Sequence, residues 1–382
     1  MRIVHVVPTY LPARRYGGPI VAVHGLCRAL AARGHEVEVL TTNVDGSGVS
    51  DVPLDRAVEM DGVRVRYFAS PFPRLYWSPA MRRALAGAVR GASVVHLHSI
   101  YLWPTYAAAR SATAAQVPYV ISPRGMLVPE LIRQKSRGVK TAWLRLVERR
   151  NFANAAAIHF TSEREWDDAR KLPLPLPSPF VVPNGTDLPL GGTDLPSPPD
   201  GVTREDDLVV SIGRITWKKG LDRLIEAAAL LPRARFVIAG NDEEQLLPAL
   251  RALAAKLGVE SRVAFRGALS PAERDALLAQ AAVFALPSHS ENFGNVVLEA
   301  LAASTPVVVT PEVGLAEEVS RAECGLVADG APAEFAAAIA RLQEDATLRQ
   351  TMAARGRALV EQRFTWPRIA AEMEARYEQL VR

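Results

Sequence analysis

Short apolar runs rich in Val and Ile recur along this chain, separated by longer stretches where Ala and Leu return every three or four positions among Arg, Glu and Gln. A short apolar run bounded by polar residues reads as a strand buried on both faces, and the longer period reads as an amphipathic helix. Strands alternating with helices predict parallel sheets with crossover helices on both faces, an α/β chain. In the first half, strands are expected near 2–7, 36–41, 63–68, 93–97, 118–122, 156–160 and 180–182, with a helix near 19–33 closed by Gly34. In the second half, strands near 207–212, 235–239, 262–265, 283–287 and 306–309 alternate with helices near 220–231, 243–257, 271–281 and 294–303.

The alternation stops midway. Leu172 to Pro179 holds four prolines, Pro183-Asn184-Gly185-Thr186-Asp187 is a turn signal, and a Pro/Gly/Asp-rich stretch runs on to about Asp200. The chain is therefore expected to form two doubly wound domains, 1–182 and 183–363. At Phe364-Thr365-Trp366-Pro367 a proline breaks the pattern again, so the helix that follows to Arg382 is free to leave the second domain.

Composition adds limits to this picture. With 49% hydrophobic and 23% charged residues over 382 positions, the chain is ordinary for a globular protein and long enough for two cores. Cys27 and Cys324 lie far apart with no C-x-x-C spacing, which points to a reducing cytoplasm rather than a disulfide framework. Met1 to Pro8 reads as a strand, too brief for a signal segment or a membrane span. The net charge of +4 hides an asymmetry: 24 Lys+Arg against 13 Asp+Glu up to residue 182, 18 against 25 from 183 to 363, and 3 against 3 in the tail. The basic first half is thus suited to phosphates, anionic lipid or nucleic acid.

In open parallel sheets, ligands bind beyond the C-terminal strand ends, where loops feed helix N-termini with free N–H groups. Two such loops carry chemistry. Gly213-Arg214-Ile215-Thr216-Trp217-Lys218-Lys219-Gly220 offers glycines for close approach and cations for a diphosphate, without the order of a Walker loop. Ser288-His289-Ser290-Glu291-Asn292-Phe293-Gly294-Asn295 leads into a helix carrying Glu299, so two carboxylates bracket a helix start and the amides of Phe293, Gly294 and Asn295 face an anion there.

Together with Leu298-Glu299-Ala300 and Thr305-Pro306-Val307-Val308, these loops resemble the retaining glycosyltransferases of family 4, with their Glu-x7-Glu motif and GT-B fold of two Rossmann-like domains facing across a cleft. The resemblance extends to Gly17-Gly18 after the first strand, to Gly34-His35-Glu36-Val37 and to Pro183-Asn184-Gly185, and so covers essentially the whole chain. It implies that the N-terminal domain binds the acceptor, the C-terminal domain binds a nucleoside-diphosphate sugar, and the terminal helix crosses back to the first domain. It assigns the donor diphosphate to Arg214 and Lys219, the ribose to Glu299, the donor sugar to Glu291 with Asn292 beside it, and phosphates or acceptor to Gly17 and Gly18. Arg266 falls in the segment that meets the nucleobase. One departure is visible: family members often carry His-Gly after the strand Tyr119 to Ser122, whereas this chain reads Pro123-Arg124-Gly125. A guanidinium is no base at neutral pH, so Arg124 is expected to clamp a phosphate or oxyanion. His98, at another strand end, is expected to line the acceptor site, and His96 to point to the opposite sheet face.

No D-x-D occurs and no cluster has metal-ligand spacing, so the site's cations are expected to be side chains, with no metal and no cofactor. Val139, Ala142, Trp143, Leu146 and Val147 form an apolar stripe flanked by Arg133, Lys135, Arg137, Lys140, Arg145, Arg149 and Arg150, which suits either a core-facing helix or an anionic membrane surface. On the membrane reading the acceptor is a polyprenyl-diphosphate-linked glycan of surface-polysaccharide assembly, and the enzyme is peripheral at the inner face of the membrane. The rival is a soluble sugar or sugar phosphate, and a non-catalytic nucleotide-sugar sensor is a further alternative. An NAD enzyme is disfavoured because no G-x-G-x-x-G follows the first strand, and nucleic acid because the basic half lacks interleaved aromatics.

Overall fold

The computed structural model describes residues 1–13, 17–129, 132, 137–189 and 207–381. The chain divides into two compact units, Met1–Gly185 with Trp366–Arg382, and Thr186–Thr365.

The first unit is built on strands β1 (Arg2–Thr9), β2 (Glu36–Thr42), β3 (Val44–Asp45), β4 (Gly48–Val49), β5 (Ala57–Met60), β6 (Val63–Phe68), β7 (Val94–His98), β8 (Tyr119–Ser122), β9 (Ala157–Phe160) and β10 (Pro179–Val181). Its main sheet runs β10-β9-β8-β7-β1-β2-β6-β5, with β3 and β4 forming a separate small hairpin. Seven strands of the main sheet are parallel, and β5 pairs antiparallel with β6 at the edge. That antiparallel edge departs from the expected all-parallel sheet. Its cause is local: Asp61 (φ 50) and Gly62 (φ 77) make a two-residue hairpin loop between the paired Met60 and Val63, in the left-handed conformations that Asp-Gly favours. One sheet face packs Ile3, Val7 and Val37 under the helices Gly18–Ala32 and Trp366–Val381, and the other packs Val4, Val6 and Leu40 under Pro79–Arg90 and Trp103–Ala115. The terminal helix lies so close to the first that a Cβ on Gly25 would sit 2.2 Å from the Trp366 ring. Arg33 and His35 both reach Glu374 on that helix, at 2.6 and 2.8 Å.

The second unit holds β11 (Leu208–Ile212), β12 (Arg235–Ala239), β13 (Val263–Arg266), β14 (Val283–Leu286), β15 (Val307–Val309) and β16 (Gly325–Val327), all parallel in the order β13-β12-β11-β14-β15-β16. Helix starts follow local rules: Ser270 and Glu273 make a reciprocal capping box at the helix Pro271–Gln280. In both main sheets the strand order reverses beside the unit's first strand, at β1/β7 and at β11/β14. Loops diverge at such a switch point and leave a crevice for a ligand.

Candidate functional site

In the second unit the two loops singled out above follow β11 and β14, the strands flanking the switch point. They are tied together by backbone: the amide of His289 donates to the carbonyl of Lys218 at 2.7 Å. Side chains repeat the tie, since the Lys219 ammonium donates to a Glu291 carboxylate oxygen while both remain partly exposed. Glu291 is itself held by main chain, its amide donating to the carbonyl of Glu312 (3.1 Å) and its carbonyl accepting from Gly314 (2.9 Å). Gly314 permits this contact, because a Cβ there would lie 2.1 Å from the carbonyl oxygen of Asn292.

Both loops end in glycine helix caps with left-handed backbone, Gly220 (φ 60) before Leu221–Ala229 and Gly294 (φ 95) before Asn295–Ala302, and neither helix has a side-chain cap. Two helix N-termini therefore present backbone amides beside Lys219, a combination suited to oxyanions. Arg214 is exposed and pairs with Glu243 at 2.9 Å. Such a surface pair is worth little and exchanges readily for a ligand phosphate. A Cβ on Gly213 would press against the Lys219 side chain at 3.0 Å.

Glu299 sits in the helix Asn295–Ala302, where Arg274 donates to it at 3.0 Å. Burial pushes its carboxyl above the usual range, and the cations Arg274 and Lys219 pull the other way. Asn292 and Asn295 are half-buried, whereas the Phe293 side chain is in the core against Leu286 and Val297, leaving its backbone as the group that can meet a ligand. Arg266 ends β13 and its carbonyl accepts from the amide of Gly240 at 3.2 Å.

Several neighbours escaped the sequence reading. Glu244 accepts from the Trp217 amide at 2.9 Å, and Gly240 is packed so that a Cβ would meet the Gly213 carbonyl oxygen at 1.8 Å. Gly240-Asn241-Asp242 follows a predicted strand, so inspecting every strand-end loop would have found it. Arg274 gives no such signal, since its pairing with Glu299 arises only when two helices pack.

In the first unit, Gly17 (φ 69) immediately precedes the helix beginning at Gly18, so that pair lies at the β1 side of the switch point. His98 is buried, and both its ring nitrogens are engaged: Nε2 with His5 Nδ1 at 2.9 Å and Nδ1 with Arg124 Nη2 at 3.4 Å. His96 does not point to the opposite face. Residues two apart in a strand share a face, and the rings of His96 and His98 lie 4.1 Å apart. Its Nδ1 meets the Tyr377 hydroxyl of the terminal helix at 2.6 Å. His159 lies beside them and donates from Nε2 to the Val182 carbonyl at 2.8 Å. Burial, together with the charge of Arg124, holds the pKa of His5 and of His159 at about 3, and those of His96 and His98 well below the ordinary value. All four are therefore neutral.

Folding does assemble a group that linear spacing hides: ring nitrogens of His5, His96 and His98 lie within 4.8 Å of one another. The donor set does not fit a divalent cation, because two of these nitrogens bond each other and a guanidinium stands 3.4 Å from His98. Arg124 adopts a left-handed backbone (φ 56) and its Nη1 donates to Asn184 at 2.6 Å.

Of the apolar stripe, Arg133 and Lys135 lie outside the described residues, as do the side chains of Arg137, Val139 and Lys140. The rest divides. A π-turn, Leu144–Glu148, interrupts the helical register and turns Leu144 and Glu148 inward. Trp143 donates to buried Glu148 at 2.9 Å, while Leu146 faces outward among exposed Arg145, Arg149 and Arg150.

Residues 17–185 match the family described as Glycosyl transferase 4-like domain, and residues 198–359 match Glycosyl transferases group 1. The chain is also 30% identical to a D-inositol 3-phosphate glycosyltransferase of Jonesia denitrificans, across 99% of this chain and 95% of that one. It belongs to the GT-B glycosyltransferases. Its fold is shared with sucrose-phosphate synthase from Thermosynechococcus elongatus (TM-score 0.77, 22% identity, 99% and 98% of the two chains). The same holds for Anabaena Alr3699/HepE in complex with UDP and glucose (0.76, 19%, 99% of each). Among the described residues of this glycosyltransferase, no helix is long and apolar enough to cross a membrane.

Proposed function

We propose that this glycosyltransferase moves a hexosyl group, with retention of configuration, from a nucleoside-diphosphate sugar to a soluble sugar- or polyol-phosphate acceptor. The observation that carries the donor half is the joined pair of loops at the β11/β14 switch point, where Lys219 and two uncapped helix N-termini stand together. On this reading the second unit binds the donor and the first binds the acceptor. The diphosphate takes Lys219 from Glu291 and Arg214 from Glu243, and these cations with the helix dipoles oppose the negative charge that grows as the glycosidic bond breaks. Glu291, released from Lys219, turns to the donor sugar, with Asn292 beside it, and Glu299 accepts from the ribose hydroxyls while Arg274 orients it. The amides of Phe293, Gly294 and Asn295 meet phosphate or sugar oxygens, Arg266 lies toward the base, and Gly17 and Gly18 leave room beside the reacting groups. The acceptor oxygen attacks the anomeric carbon from the face the diphosphate leaves, the bond to the diphosphate breaks, and the acceptor hydroxyl gives its proton to the leaving phosphate, so no side chain holds the sugar covalently.

One observation favours a soluble acceptor over a polyprenyl-linked one: the full-length relative named above acts, by its name, on an inositol phosphate.

Glu291→Ala tests the catalytic role against mere nucleotide sensing. The variant should bind a nucleoside diphosphate as the wild type does and lose turnover by about 10²-fold or more, the usual cost of removing a group aimed at transition-state charge. An unchanged rate would remove Glu291 from the reaction.

A further inference from the structure

On the face of the first sheet covered by the terminal helix, the parallel register sets His5 beside His96 and His98 beside Ser122. His159 follows one residue after the Ile121–Ile158 pair. Five buried polar atoms of this patch have no hydrogen-bond partner among the described residues: His5 Nε2, His96 Nε2, Ser122 Oγ, Arg124 Nε and His159 Nδ1. Buried polar atoms are rarely left unpaired, and a cluster of them marks a place where water or a ligand belongs.

Proton placement says which kind of ligand. A guanidinium only donates, so His98 Nδ1 accepts from Arg124 and the neutral ring carries its proton on Nε2. That proton goes to His5 Nδ1, which leaves His5 with a proton on its unpartnered Nε2. Arg124 uses two of its five N–H groups, on Asn184 and His98, and its Nε is among the unpartnered atoms. Of the open positions, His5 Nε2 and Arg124 Nε are donors and Ser122 Oγ can donate, whereas His159 Nδ1, on a ring whose proton goes to the Val182 carbonyl, can only accept. The charge is open as well, since Arg124 forms no ion pair among the described residues. Glu165 acts on it through space, but its oxygens already accept from the amide of Gly125 (2.5 Å) and from the amide and hydroxyl of Thr161 (2.8 Å each). A buried cation without an anion is costly, and four neutral imidazoles do not relieve it.

We infer that Arg124, with Ser122 and His5, binds the phosphate group of the acceptor at the β1/β7 switch point of the first unit. The inference deepens the glycosyl-transfer reading and rests on it. An anion there would take the free N–H groups of Arg124 and cancel its charge, and the histidine stack would hold the guanidinium in place through His98 and Tyr377 through His96.

The test compares thermal unfolding of the wild type, Arg124→Met and Arg124→Lys, without and with inorganic phosphate, while the ring ¹⁵N resonances of His98 and His5 are followed by NMR. Without phosphate, Arg124→Met should melt no lower than the wild type, because it removes an uncompensated buried charge. Phosphate should raise the wild-type midpoint by more than it raises that of Arg124→Met, with Arg124→Lys between them, and should shift the His98 Nδ1 resonance saturably in the wild type but not in Arg124→Met. Phosphate taken up by the donor loops raises all three midpoints alike and cancels in the comparison. A lower midpoint for Arg124→Met with silent His98 resonances would make Arg124 a structural residue with water in the patch, and would overturn the site. Wild-type binding of a nucleoside diphosphate, measured separately, reports on the glycosyl-transfer reading alone.

Discussion

Lys219 and Glu291 are separated by 72 positions in the chain and form one ion pair in the fold. Both were legible as candidates because each lies on a loop after a predicted strand, and that placement is a property of sequence. Their partners were not legible: Arg274 meets Glu299, and Asn184 meets Arg124, only through packing between elements. The histidines illustrate the same limit from another side. His96 and His98 are neighbours on one face by strand period alone, yet His5 joins them only because β1 pairs with β7. This stack has a consequence for acid stability. An unfolded histidine takes a proton near 6.5, whereas folded His5 and His159 resist until about 3. Below pH 6.5 the unfolded chain therefore binds more protons, and stability, full above that value, falls as the pH drops toward 3. Each such imidazole contributes on the order of 1 kcal/mol per pH unit in that window. Urea unfolding between pH 7 and 5 should show this slope, reduced in His5→Gln. An identical slope in the variant would mean that His5 is not held neutral.

At the scale of elements, periodicity located the parallel strands because these are buried on both faces and leave continuous apolar runs. It missed β5 and β16, which are short edge strands, β5 with only partial burial. The β5–β6 hairpin is legible in the sequence as Met60-Asp61-Gly62-Val63, a turn signal between alternating residues. The π-turn at Leu144–Glu148 carries no such signal; it ends on buried Glu148, which accepts from the Tyr101 amide, Trp143 and Asn151. The terminal helix docks through its own apolar face, with Trp366, Ile369, Met373 and Tyr377 all buried. Gly25 is the position that lets it approach. Gly25→Ala should therefore destabilise the first unit by about 1–3 kcal/mol, the usual cost of overpacking, read as a lower urea midpoint. An unchanged midpoint would show that the helix docks without needing that space.

At the scale of the molecule, two α/β units and their division near residue 185 follow from alternation and from the Pro/Gly-rich break, both coarse properties that single substitutions do not disturb. What coarse properties do not carry is the chemistry of the acceptor. The charge asymmetry noted in the sequence is spread over many surface arginines, whereas the structure concentrates attention on one guanidinium with neutral neighbours. Donor binding is the claim on which the rest depends. Its most direct test is calorimetric titration of the whole chain with UDP, GDP and ADP, repeated with Lys219→Met. The account predicts saturable binding of at least one of the three, weakened in the variant by about tenfold or more, which corresponds to about 1.4 kcal/mol. Binding of none, or binding that Lys219→Met leaves untouched, would contradict it.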